Sequence, residues 1–181
     1  MTIYQTPDIN IDWEKHRHIF KEKTIPAKTI LLNEGEVSRN GYFVKEGCLR
    51  LWFNNKGKDI TFQFFFENEA VSSVESFRSG EPSLFSIESI EPSTVYVIGK
   101  KNFENVFMNN PVYAAFIQET IVKRMLHYSR LFMSYIKNTP EERYRELLKN
   151  SPHIIKRVPQ HYIASYLGIT SVSLSRIRNR A

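Results

Sequence analysis

The sequence predicts an α+β chain in which an antiparallel β-sandwich or barrel is followed by one long helix and then by a helix-turn-helix. Three observations carry this. Short β-prone runs alternate with turn residues from Thr24 to about Ile98. After Pro111, neither glycine nor proline occurs until Pro140. From Gln160 onward, small and apolar residues and a turn glycine recur at the spacing of two crossed helices.

Composition bounds the function. The chain has 181 residues, enough for one large domain or two small ones. With 41% apolar and 24% charged residues it should fold. The lone Cys48 excludes a disulfide framework, a Cys-ligated zinc site and a four-cysteine iron–sulfur cluster. No apolar run approaches the ~20 residues that cross a bilayer. Met1 to Trp13 lacks a basic region followed by an apolar stretch. A soluble, cytoplasmic protein with no membrane partner is therefore expected. The net charge is +6, and all of that excess falls in residues 137–181. Residues 1–136 are neutral overall. A basic module attached to a neutral one is the footprint of polyanion binding, although a merely solvated basic tail would carry the same charge.

Taken in order, Asp12 to Phe20 suits a short helix with Asp12 as cap. Thr29 to Leu32 is strand-like and runs into a turn at Asn33-Glu34-Gly35-Glu36. Gly41 to Gly47 is a strand closed by glycine, and Cys48 to Phe53 alternates in part. Asn54-Asn55-Lys56-Gly57-Lys58 marks a hairpin whose return strand is Ile60 to Phe66. Phe85 to Ile90 and Thr94 to Ile98 flank Glu91-Pro92-Ser93. Turn signals at ~8–12-residue spacing suit a sandwich or barrel. Lys100 to Met108 reads as a short helix.

The helix from Pro111 to Lys137 would span ~40 Å. Its apolar residues cover more than one stripe, so one face can meet the β domain and another a second subunit, unless the whole helix is buried in its own chain. Ala114, Ile121, Tyr128 and Tyr135 recur every seven residues, as a dimer seam does. Thr139-Pro140-Glu141-Glu142 starts a new helix with a cap, a first-turn proline and acids at the positive end. Asn138-Thr139-Pro140 is the candidate hinge. The divisions are a sensor at 1–110, a connecting helix at 111–137 and a terminal domain at 138–181.

Gln160 to Leu167 forms a first helix, Gly168 ends it, and Ser171 to about Asn179 forms a second. Ala164 permits a close crossing, Gly168 can take positive φ, and Leu174 and Ile177 pin the second helix to the first. The second helix exposes Ser171, Val172, Ser173, Ser175, Arg176 and Arg178, a surface able to enter a major groove. Arg176 is the candidate for a bidentate guanine contact. Gln160 and Thr170 sit near helix N-termini, where phosphate is favoured. Lys156, Arg157 and Arg180 would supply non-specific phosphate attraction.

The motifs Asn33-Glu34-Gly35-Glu36, Tyr42-Phe43-Val44-Lys45-Glu46-Gly47, Gly80-Glu81-Pro82-Ser83 and Ile163 to Thr170, with Ser175-Arg176-Ile177-Arg178, make nearly the whole chain resemble the Crp–Fnr superfamily of bacterial transcription regulators. The resemblance implies a double-stranded β-helix sensor (a cyclic-nucleotide-binding-like jelly roll), a homodimer joined by the long dimerisation helix, and a winged-helix type of helix-turn-helix. Double-stranded DNA and a second copy are then the partners, with RNA polymerase a further candidate. In the family, the counterpart of Arg176 reads a base edge and that of Ser171 reaches base or phosphate. Three places depart from the pattern. Where the family has Gly-Glu for ribose and Arg-Ser/Thr for the cyclic phosphate, this chain has Ser72-Ser73 and Pro82-Ser83. Proline supplies neither charge nor N–H, and Arg78 is displaced by four residues, so cyclic AMP binding of the usual kind is not expected. Lone Cys48 cannot hold the family's oxygen-sensing cluster. The chain stops at Ala181, so the wing is expected to be short or missing.

Ser72, Ser73, Glu75, Ser83 and Phe85 are the candidate effector-pocket residues, unless the barrel is simply filled. No cofactor, metal or catalytic residue is assigned. His16 and His18 precede the strands and the next histidine is His127, so a cupin-type metal enzyme is disfavoured. No nucleophile elbow or phosphate loop is present. The rival to a non-enzymatic DNA regulator is a ligand-binding β-roll sensor that signals through a protein partner.

Overall fold

The computed structural model describes residues 16–179. The Asp12 cap expected for the first helix lies outside them, as does Arg180. Of that helix, only a 3-10 turn at Arg17–Ile19 falls inside.

The strand-rich region forms eight strands: β1 (Lys21–Ile25), β2 (Ile30–Leu32), β3 (Asn40–Glu46), β4 (Leu49–Asn55), β5 (Lys58–Phe65), β6 (Ala70–Val71), β7 (Ser86–Ser89) and β8 (Ser93–Gly99). They pair antiparallel in two four-stranded sheets, ordered β1-β8-β3-β6 and β2-β7-β4-β5. The β-branched and aromatic residues of alternate positions meet between the sheets. Val44, Leu49, Phe65, Ile87 and Val95 form the centre of this core. The β4–β5 hairpin closes through Lys56 and Gly57, both at positive φ, which matches the right-handed twist of its strands.

Gly47 is where the roll bends from β3 into β4. Its φ is +99°, and a Cβ there would lie 2.7 Å from the Ser93 Cα. The Ser93 hydroxyl fills that space and accepts from the Cys48 amide at 3.2 Å. Only glycine meets both demands.

Two short helices have no clear sequence signal: α1 (Val74–Ser79), between β6 and β7, and α5 (Pro152–Arg157). Lys100–Met108 divides into α2 (Lys100–Phe103) and a wider π-helical turn at Glu104–Met108. That turn brings the rings of Phe103 and Phe107 into a stack at 5.6 Å. The long helix α3 covers Pro111–Lys137, with the Asn110 side chain accepting from the Val112 amide. α4 (Pro140–Asn150) opens with a full capping box between Thr139 and Glu142. α6 (Gln160–Tyr166) and α7 (Ser171–Arg178) end the described chain.

The outer face of β4, β5 and β7 is covered by the C-terminal helices. Cys48, Phe64, Phe66 and Ile90 share one core with Tyr144, Ile154, Val158, Tyr162, Tyr166 and Leu174. Burial pushes the Cys48 thiol well above the usual range and leaves it inert. Arg50 lies at this junction and is 2% exposed. Its Nε donates to Glu88 at 3.0 Å, one Nη to Asp59 at 3.2 Å and the other to Thr61 at 3.3 Å. The Tyr162 ring of α6 caps the guanidinium at 4.0 Å.

Gly47→Ala is expected to destabilise the chain by about 2–4 kcal/mol, from left-handed strain and overpacking together. Gly57→Ala, in open space on the hairpin, should cost less. Urea denaturation of the two variants checks the order.

Candidate nucleic-acid interface

The last two helices are built by the residues that marked them in sequence. Ile163, Ala164, Leu167 and Leu174 are buried, and Gly168 takes φ +67° in the turn. A Cβ on Gly168 would approach the Tyr135 ring at 3.1 Å, so the turn is also held close to α3. The Tyr135 hydroxyl donates to the Tyr166 carbonyl. Arg143 of α4 donates to the carbonyls of Leu167 at 3.0 Å and Asn138 at 2.8 Å. The Tyr166 and Leu167 contacts occupy carbonyls that the C-terminal end of α6 leaves open, and the Asn138 contact one at the end of α3.

The outer side of α7 is free. Ser171, Val172, Ser175, Arg176 and Arg178 are exposed, with Val172 at 62%, and Ser173 is half-buried. Arg176 and Arg178 form no ion pair among the described residues. The Thr170 hydroxyl accepts from the Ser173 amide at 3.1 Å and caps α7. It is therefore committed to the helix first and could reach a phosphate only with its remaining capacity. Gln160 is exposed at the start of α6. Small side chains, a methyl-bearing contact and two unpaired guanidiniums on one helix face are able to approach base edges and phosphates closely.

Arg157 does not join this surface. It pairs bidentately with Glu67 of the roll at 2.8 Å for both contacts, and also with Glu91. Two carboxylates of the roll claim its charge, so the phosphate-attracting role expected for it does not fit. Lys156 remains exposed. Sequence pattern held no signal for this pairing, because Glu67 is 90 residues away.

The expected effector residues differ in burial and in what holds them. Ser73 and Ser83 are buried, Ser72 and Phe85 are half-buried, and Glu75 is exposed. The Ser83 amide donates to the Glu36 carbonyl at 2.8 Å, and its hydroxyl to the Phe85 carbonyl at 2.6 Å. Phe85 packs on Phe62 at 5.1 Å, and Phe62 on Tyr128 at 5.0 Å, which fills the space beside them with aromatic rings. Pro82 adds no donor. A cyclic phosphate would meet no cation and few free donors at these residues.

The long helix shares its faces unequally. Tyr128 donates to the Gln63 side chain and is half-buried; Tyr135 donates to the Tyr166 carbonyl yet stays 39% exposed. Ala114 is half-buried and Ile121 is exposed. Of the seam expected at Ala114, Ile121, Tyr128 and Tyr135, two residues are half-buried and two, Ile121 and Tyr135, are exposed. The face that stays open carries Val122, Met125, Phe132 and Ile136, with Leu126 and Met133 beside them. Phe132 is 65% exposed and Ile136 63%. Spacings of three and four residues place these side chains on one stripe.

Residues 22–110 match the family model of the cyclic nucleotide-binding domain. No curated protein matches the sequence. Among solved structures, a CooA mutant from Carboxydothermus hydrogenoformans aligns with a TM-score of 0.77 at 16% identity, over 99% of this chain and 86% of that one. FixK2 from Bradyrhizobium japonicum aligns at 0.76 and 17% identity, over 90% and 84%. A protein from Eubacterium rectale, described as a transcriptional regulator of the crp/fnr family, aligns at 0.73 and 16%, over 96% and 83%. At such identities the likeness is one of fold. No helix among the described residues is long and apolar enough to cross a membrane.

The Arg157 pairing holds the Glu67 carboxyl down to about 2, against an ordinary value of 4.5. A depressed carboxylate contributes stability that is complete above its unfolded value and is lost as pH falls towards its folded value. The stability difference between the parent and Glu67→Gln should therefore be full above about pH 5 and close towards pH 2. Urea unfolding across that range measures it; a gap that ignores pH would contradict the pairing. The gap should be modest, because Glu67 is 34% exposed and water screens it.

Proposed function

We propose that this chain, a Crp–Fnr superfamily member in its fold and in its cyclic nucleotide-binding domain, is a sequence-specific DNA-binding transcription regulator that acts as a homodimer. Residues 1–110 serve as the sensor, 111–137 as the connecting and dimerising helix, and 138–181 as the DNA-binding part. α6 and α7 are its helix-turn-helix. The observation that carries this reading is the outer face of α7, where Arg176 and Arg178 stand exposed and unpaired among small polar side chains.

In the mechanism, α7 enters a major groove with Ser171, Val172 and Ser173 leading. Arg176 reads a base edge, and Arg178 meets the backbone. The first amides of α7 and the side chain of Gln160 favour phosphate. The second copy docks through the Val122–Ile136 stripe of α3. Two α7 helices then address grooves ~34 Å apart. The regulator role carries no catalytic group. The roll does not take cyclic AMP in the family's usual way, since Pro82 and the occupied Ser83 amide leave no phosphate cradle.

Arg176→Ala should keep the fold and lose about 1–3 kcal/mol of discrimination between its best site and random duplex. Duplex selection from a random pool, followed by fluorescence anisotropy at several salt concentrations, measures this. Affinity without salt dependence or sequence preference would favour the protein-partner sensor instead.

Phe132→Glu should convert the dimer to monomer by light scattering. Tyr128→Phe should leave it dimeric, because that hydroxyl serves its own chain. The reverse result would restore the first seam.

A further inference from the structure

We propose that a cavity between the outer face of the roll and the first half of α3 binds a hydrophobic monocarboxylate, with Arg124 meeting the carboxylate. Any effect of that ligand on DNA rests on the regulator reading above; its binding does not.

The cavity measures about 630 Å³. That is within the ~300–1,000 Å³ of small-molecule sites. Its wall is mostly aromatic and aliphatic, with Phe77 of α1, Phe107 of the π-helical turn, and Phe116, Ile117 and Ile121 of α3. It meets the family's nucleotide positions only at Ser72; Pro82 and Ser83, the places of the cyclic phosphate, are not on its wall. Of the five effector candidates only Ser72 borders it. A nucleotide needs polar partners for its base, sugar and phosphate, and this wall offers few.

Polar groups gather where β6 meets α3: Ser72, Thr120 and Arg124. Arg124 is half-buried, lies over the Phe65 ring at 5.3 Å and donates to the Ala70 carbonyl. It forms no ion pair within 4 Å among the described residues, although the Glu69 carboxylate lies near enough to feel its charge. A half-buried cation beside an apolar chamber is matched by a ligand with one anionic end and an apolar body. Arg78, also on the wall, is exposed, and the exposed carboxylate of Glu104 is on the wall as well. Arg124 is therefore the assigned anchor. A ligand seated there touches α1, β6 and α3 together and so bears on how the long helix lies against the roll.

The test is calorimetric titration of the full chain with decanoate, decanol and decyltrimethylammonium. Decanoate should bind, and decanol about tenfold more weakly or worse, since a charge-assisted contact is lost. The cation should not bind. Arg124→Gln should bring decanoate down to the level of decanol, while Arg78→Gln leaves it unchanged. Thr120→Trp, which fills the chamber, should remove both ligands at an unchanged unfolding midpoint. Absence of heat with decanoate, equal affinity for acid and alcohol, or loss in Arg78→Gln instead of Arg124→Gln would each overturn the assignment. A parallel duplex titration separates the two ideas. Decanoate binding without DNA binding keeps this site and removes the regulator reading, and the converse removes this site alone.

Discussion

A guanidinium that is 2% exposed cannot remain on the outer face of a β-sheet unless it is both paired and covered. Arg50 satisfies both conditions. Glu88, Asp59 and Thr61 come from its own sheet, and the Tyr162 ring comes from α6. The same surface accepts Ser165, whose hydroxyl takes the Thr61 amide at 2.8 Å and donates to the Asp59 carbonyl at 2.7 Å. Around this polar centre, Phe64 packs on Tyr166 and Phe66 on His153. The roll and the C-terminal helices therefore share one core, and the position of α7 follows from it.

Arg157 fastens the rim of that junction to Glu67 and Glu91. A buried centre with an ionic edge is specific in register. Hydrophobic contact alone would let α6 slide, whereas Arg50 and Ser165 each accept one arrangement of partners. With α6 so placed, α7 faces away from the roll, and its arginines stay in water.

The long helix shows how one amphipathic pattern serves two surfaces. The hydroxyls of Tyr128 and Tyr135 find oxygen partners on their own chain, although the Tyr135 ring stays partly in water. Phe132 and Ile136, a fraction of a turn away, stay about two-thirds exposed among the described residues. Seven-residue recurrence fixes a stripe but not which stripe faces which neighbour. Tyrosine is ambiguous in this respect, because its ring can be buried while its hydroxyl selects a particular polar atom. A serine expected to face an effector is taken up by the fold for a related reason. Ser83, read as a ligand donor, turns its hydroxyl and amide into the roll's own turns, and its neighbour Ser76 does the same with its hydroxyl.

From sequence alone came the strand-rich roll, the hairpin at Lys56-Gly57, the Thr139 capping box, the long helix and the crossed terminal pair with its outward arginines. Each depends on residues within a few positions of one another, where backbone preference and periodicity act directly. Tertiary structure alone decided that Arg50 is buried, that Arg157 is spent on Glu67, that Phe132 and Ile136 of α3 stay exposed, and that an aromatic chamber opens beside Arg124. Those outcomes join residues far apart in the chain, and local spacing carries no information about which distant charge or ring will arrive to pair with them.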